Sequence, residues 1–208
     1  QLVRWLPRVV AERMEAGQGD WVNEFRTATV LFAGLGAREG DADDVLALQG
    51  EVQRITAILS RFEGDCLGVV IDEKGATLIG AFGLPGRAHD DDAARAIRAA
   101  VEIQGGGLVS VGIATGRLYV GVLGSTIRRD YGGLGPTMNL AARLMGKASG
   151  GALLDGATAR SAGNRVGIEP AGTMDLKGWA EPIAVSRPGD IVRRQIRRAM
   201  VGREAVRD

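Results

Sequence analysis

The sequence has little cysteine, few aromatic residues and no long apolar run. Its single cysteine, Cys66, cannot form an internal disulfide, which excludes a disulfide-stapled fold and is typical of a reducing compartment. Apolar stretches stay below the roughly 20 residues that span a bilayer, so no transmembrane helix is predicted. Together these absences predict a cytoplasmic location.

A charge imbalance is also missing, since 26 Lys and Arg residues stand against 25 Asp and Glu residues. No global field would recruit nucleic acid or an anionic membrane, so neither is predicted as a partner. Residues 188–208 hold a basic amphipathic stretch that fits contact with nucleic acid or lipid, or a linker helix toward a next domain. We predict the linker. The chain starts at Gln1 without a secretory signal pattern, and we expect it to be a piece of a longer protein.

Apolar spacing divides the chain into alternating strands and helices around one core. The predicted elements are a helical lead-in (1–21), a strand (27–33), a helix (43–59), a hairpin (67–82), a helix (89–104), a second hairpin that turns at 115–117 (109–122), a helix from Pro136 to residue 147, and short strands (152–154, 165–169, 172–176, 184–186). This order predicts an α+β domain with a mainly antiparallel sheet and helices on one face.

Several motifs in register resemble the class III adenylyl/guanylyl cyclase catalytic domain. They are TATVLFAGL at 27–35, GATLIGAFGLPGRAHDDDAARAIRAAVEIQ at 75–104, VSVGIATGRLYVGVLGS at 109–125 and RRDYGGLGPTMNLAARLM at 128–145. The resemblance covers residues 22–187 and implies a ferredoxin-like class III nucleotidyl cyclase fold for that domain.

Two further stretches narrow the resemblance. WLPRVVAERM at 5–14 and DEKGATLIGAFGLPG at 72–86 are similar to the second cyclase half of soluble adenylyl cyclase-like multidomain proteins. AMVGREAVRD at 199–208 resembles the opening of the ATPase region that follows in such proteins. Residues 188–208 are therefore predicted to be a basic linker and the start of a downstream ATPase-like region.

The resemblance implies a site shared between two cyclase halves, to which this chain would contribute Asn139 and Arg143. They match the transition-state pair of the family, and their spacing of four residues puts both on one helix face. Arginine makes bidentate charge-assisted bonds to phosphate, and asparagine can orient the ribose. The alternative is an ordinary exposed arginine and a helix-surface asparagine.

The two metal-binding carboxylates of the family are missing. Their expected positions are Gly34, after the first strand, and Ala76, in the first hairpin, and neither side chain can ligate a metal. The resemblance therefore implies that Mg²⁺ or Mn²⁺ is held by a partner cyclase half, expected upstream in the same chain. The function implied is conversion of ATP to cyclic AMP and pyrophosphate at a shared dimer interface. A catalytically silent module that binds a nucleotide or effector is the alternative.

Two positions are expected to meet the purine. Lys74, at the tip of the first hairpin, matches a purine-recognising lysine, although an ordinary lysine in a turn is the alternative. Gly132 occupies a recognition position that is usually Asp or Thr, and this departure weakens the case for base selection by side chains.

Two charged clusters leave alternatives open. Residues 128–130, Arg-Arg-Asp, resemble an arm that crosses to the partner half, and a solvated charge run fits them equally. His89 stands beside three aspartates, where a helix cap is favoured over a metal cluster.

Overall fold

The computed structural model describes residues 23–36, 42–73, 75–125, 127 and 129–189. The predicted lead-in (1–21), Lys74, Arg128 and residues 190–208 of the predicted linker lie outside the described residues. The two boundaries between the three predicted segments, at 21/22 and 187/188, stay predictions.

The described elements follow the predicted order closely. They are β1 (Glu24–Gly34), α1 (Ala42–Arg61), β2 (Asp65–Asp72), β3 (Gly75–Phe82), α2 (Asp92–Gln104), β4 (Ser110–Gly124), β5 (Arg129–Leu134), α3 (Pro136–Lys147), β6 (Ala152–Asp155), α4 (Gly156–Ala162), β7 (Ile168–Met174) and β8 (Ile183–Pro188). The sheet order is β2-β3-β1-β4-β6-β8-β7, with β5 paired to β4. Among these pairings β4 with β6 is parallel and the others are antiparallel, which confirms the α+β class with a mainly antiparallel sheet.

The helices divide between the two faces of the sheet, which refines the prediction of one helical face. Helices α1, α2 and α4 share one face, and their core includes Leu31, Ile55, Leu59, Leu78, Phe82, Ile97, Ile103 and Ile113. Helix α3 packs on the other face, where Ala141 belongs to a second core that includes Val30, Phe32, Ala114, Leu118 and Val120. Because successive side chains of a strand point to opposite faces, β1 supplies both cores.

The predicted hairpin at 109–122 is wrong, because β4 runs unbroken from Ser110 to Gly124 and pairs with β1 from Ser110 to Val120. The prediction rests on two alternating apolar runs separated by residues 115–117, and the apolar positions change from odd numbers up to Ile113 to even numbers from Leu118. In the structure this change reflects which face of the strand is covered by a helix at each point along it. The odd residues meet α1 and α2 early in the strand, and the even residues lie on the α3 face later.

Glycines in β4 form the seat of helix α3. A Cβ at Gly112 would overlap the carbonyl oxygen of Ala141 and the amide nitrogen of Met145, and would lie 2.9 Å from the Met145 Cα. A Cβ at Gly116 would lie 2.7 Å from the Thr137 Oγ1. The helix backbone therefore rests directly on the strand, which only glycine permits at Gly112.

Helix α4 was not predicted, although its sequence contains a clear start signal. The Asp155 carboxylate accepts a hydrogen bond from the Thr158 amide at 2.9 Å, as an N-cap residue does. The Thr158 hydroxyl continues a chain of hydroxyl contacts to Thr115 of β4 and then to Thr29 of β1, at 2.9 and 2.8 Å. This buried polar network fastens α4 to the centre of the sheet.

The strands predicted at 165–169 and 172–176 merge into β7, which has a bulge between Pro170 and Thr173.

The segment around His89 precedes helix α2, as predicted, but caps it differently. The His89 backbone amide donates to the Asp92 carboxylate at 2.9 Å, and its ring pairs with Glu63. Asp91 binds Arg95 at 2.6 Å. Burial works to raise the pKa of Asp91, but Arg95 and Arg98 outweigh it and hold that pKa below its ordinary value. These carboxylates are therefore engaged in holding the start of α2.

Candidate functional site

Helix α3 presents the predicted catalytic pair on its outer surface. Pro136 occupies the first turn, where its missing amide costs no hydrogen bond, and Thr137, Ala141 and Leu144 bury the opposite side. Asn139 and Arg143 are both exposed. Within the described part of the chain neither side chain makes a hydrogen bond or an ion pair. The pair is therefore available to a group outside this domain.

The Arg143 guanidinium lies over the indole ring of Trp179, with 5.9 Å between its Cζ atom and the ring centroid. Trp179 is half-buried in the loop between β7 and β8 and packs against a third core, formed by Leu144, Leu153, Leu176 and Val185. The prediction from sequence missed this residue. No pattern at residues 175–182 points to α3, since the two segments meet only in the folded chain.

The expected metal-ligand positions lie at the ends of neighbouring strands. The Leu35 amide, next to Gly34, donates to the Ala76 carbonyl at 2.8 Å. The two side-chain directions diverge, however. Ala76 is buried in the core of α1 and α2, whereas a Cβ at Gly34 would lie 3.4 Å from the Met145 Sδ on the α3 face.

The donor set at these positions does not fit a metal ion. Neither Gly34 nor Ala76 carries a donor atom, and the described residues hold no group of three or more His, Cys, Asp or Glu side chains that could bind one. A metal-dependent step cannot be derived from the residues of this chain that the structure describes.

Of the two positions predicted to meet the purine, the structure describes Gly132. Gly132 lies in β5 opposite Gly121 of β4, on the strand that leads through Gly135 into α3. A Cβ at Gly132 would lie 3.3 Å from the Leu123 Cδ1, so a small side chain fits there after a slight shift of that leucine. Lys74 lies outside the described residues, but the hairpin on either side of it forms as predicted. The predicted arm begins β5 at Arg129 and is paired to β4.

No protein-family model matches the chain. It is 29% identical to rat (Rattus norvegicus) adenylate cyclase type 10 over 154 residues, which is 69% of this chain and 10% of that protein. The chain spans a tenth or less of the length of the curated relatives it matches.

Solved structures extend the comparison to the fold. The adenylyl cyclase CyaB from P. aeruginosa superposes with a TM-score of 0.74 at 21% identity, covering 82% of this chain and 97% of that one. The guanylyl cyclase Cya2 superposes with a TM-score of 0.70 at 24% identity, covering 84% of this chain and 97% of that one.

These findings confirm the resemblance of the chain to the class III adenylyl/guanylyl cyclase catalytic domain, and the chain has that fold. The adenylate cyclase type 10 relatives fit the narrower resemblance to the second half of soluble adenylyl cyclases. Among the described helices none is long and apolar enough to cross a bilayer.

Proposed function

We propose that this chain is the second half of a class III adenylate cyclase, which completes a site shared with a metal-bearing partner half and converts ATP to cyclic AMP and pyrophosphate. The observation that carries the proposal is the state of Asn139 and Arg143. They lie one turn apart and exposed on a helix whose other side packs on the sheet, and within the described residues neither side chain makes a hydrogen bond or an ion pair. An unpaired arginine beside an unpaired amide suits an anionic substrate held partly by another domain.

The roles of the pair follow from the charge changes of the reaction. The ribose 3′-oxygen bonds to the α-phosphorus, the bond to pyrophosphate breaks, and the hydroxyl proton is released. Negative charge grows on the oxygens around phosphorus, and the Arg143 guanidinium stabilises it with charge-assisted hydrogen bonds. The Asn139 amide orients the ribose. Mg²⁺ or Mn²⁺ is assigned to the partner half, because Gly34 and Ala76 cannot hold it.

The remaining parts of the proposal rest on the sequence. Lys74 and Gly132 meet the purine, the partner half lies upstream in the same protein, an ATPase-like region follows, and the location is cytoplasmic. The preference for ATP is itself part of the proposal, because the structural neighbours include an adenylyl cyclase and a guanylyl cyclase.

The isolated chain is expected to make no cyclic nucleotide, even as a homodimer, because pairing two copies supplies no metal carboxylate. Addition of a homologous half that carries both aspartates should create activity. The assay is cyclic AMP formation with Mg²⁺ or Mn²⁺ for each chain alone and for the mixture. Robust turnover by the isolated chain, or an inactive mixture whose partners bind each other, would refute the shared site.

A catalytically silent regulatory module is the second candidate, and Gly132 favours it because the purine-recognition position lacks a side chain. Nucleotide binding by the mixture without turnover would support this alternative. Calorimetric titration with 3′-deoxy-ATP, which lacks the attacking hydroxyl, measures nucleotide binding, and the cyclic AMP assay on the same mixture then separates the two candidates.

Gly132→Thr is expected to sharpen base discrimination in the active mixture, because it adds a hydrogen-bonding group near the purine. One such bond should change the ATP to GTP ratio of kcat/KM by about three- to tenfold. Gly132→Ala is the matched control, since it adds the Cβ without the hydroxyl. Equal ratios for wild type and both variants would mean that the backbone, rather than a side chain, meets the base here.

A further inference from the structure

We infer that Trp179 is a positioning residue for Arg143: its indole face holds the guanidinium where the substrate phosphates arrive. This inference rests on the proposed function and names a residue that acts through Arg143. Its basis is the position of the Arg143 guanidinium over the indole ring, with 5.9 Å between Cζ and the ring centroid.

An exposed arginine needs such a partner. Its side chain loses considerable rotamer freedom when it is fixed, and a donor that must reorganise during the reaction contributes less to catalysis. Within the described residues the Arg143 guanidinium lies over the indole and makes no hydrogen bond or ion pair. A cation–π contact leaves its N–H donors free for phosphate, whereas a carboxylate partner would occupy them.

The indole itself is held firmly. The Trp179 amide donates to the Leu176 carbonyl at 3.1 Å, which closes a turn with Gly178 at φ +97°. That conformation suits the third residue of a type II turn and favours glycine. Leu176 is buried in the third core together with Leu144 of α3. The same core therefore fixes both the loop that carries Trp179 and the helix that carries Arg143.

Loss of the indole should slow catalysis without weakening substrate binding. In the mixture with a metal-bearing half, Trp179→Leu is expected to lower kcat by about three- to tenfold with KM nearly unchanged. Trp179→Phe should restore most of the rate, because phenylalanine keeps an aromatic face. In an Arg143→Ala background Trp179→Leu should have no further effect, since residues that act as a unit are not additive. The same fold loss in both backgrounds, or a rise in kcat, would overturn the inference.

A readout without activity tests the contact independently of the proposed function. In the full chain carrying Trp5→Phe and Trp21→Phe, Trp179 is the only fluorophore of its kind. Arg143→Met should shift its emission and raise quenching by acrylamide, because the guanidinium no longer covers the ring. Lys147→Met, which removes an exposed cation one turn further along α3, should leave both unchanged. Identical emission and quenching for wild type and Arg143→Met would show that the contact does not form, and an inactive mixture with a positive fluorescence result would refute only the shared site.

Discussion

Arg143→Ala should reduce kcat of the active mixture by about 10² to 10³, the loss typical of one preorganised transition-state donor. That loss corresponds to about 2.7 to 4 kcal/mol of activation free energy. KM should change little, because an interaction made in the transition state alone does not contribute to substrate binding. The measurement is the initial rate of cyclic AMP formation over a range of ATP concentrations.

Lys147→Ala is the matched control for Arg143→Ala. Both residues are exposed cations on α3, one turn apart, so both substitutions remove a positive charge from the same helix. The Arg143→Ala protein should unfold at the same denaturant concentration as wild type, which separates catalysis from stability. Full activity of Arg143→Ala, or an equal loss in Lys147→Ala, would contradict a specific role for the guanidinium.

Among alanine substitutions at the described glycines, Gly112→Ala is expected to be the most destabilising. The new Cβ overlaps backbone atoms of Ala141 and Met145, which cannot move aside as a side chain can. Overpacking of this kind costs about 3 kcal/mol or more in free energy of unfolding. Urea unfolding followed by circular dichroism measures the loss, and activity of the mixture should fall because α3 no longer sits correctly.

Gly146→Ala, in the same helix, is expected to stabilise the protein rather than destabilise it. Its Cβ meets nothing within 4 Å, and alanine is the better helix former, so the free energy of unfolding should rise by about 0.5 to 1 kcal/mol. A wild-type unfolding midpoint for Gly112→Ala would mean that α3 is not seated on β4 as described.

The sequence predicts most of the fold because each element has a local signal. The 3,4 spacing of α1, Pro136 at the start of α3 and the turn residues at 73–75 are all readable without tertiary information. The sequence does not predict β4 as one strand, because its apolar positions change from odd to even numbers along its length. Which face is covered at each end depends on helices that lie far away in the chain. Helix α4 fails because seven residues carry too little periodicity.

The candidate site divides in the same way. The resemblance names Asn139, Arg143, Gly34, Ala76 and Gly132 because they fall within motifs. Trp179 carries no motif, and its contact with Arg143 depends on a loop conformation set by Gly178 and on the third core. A contact between residues 36 positions apart depends on the folded chain, and periodicity cannot reveal it.

The close packing of α3 on β4 also limits how an effector could act on the proposed catalytic pair, Asn139 and Arg143. At Gly112 the strand contacts the backbone of α3 directly, so no side chain there can change rotamer to accommodate a shift of the helix relative to β4. Asn139 and Arg143 are therefore expected to move together with β4. Strand β4 is in turn paired with β1 from Ser110 to Val120 and with β5 from Tyr119 to Gly124. An effector is therefore expected to act by rotating the whole domain against its partner. Amide hydrogen exchange in α3 should then change little when an effector binds, while exchange at the domain interface changes.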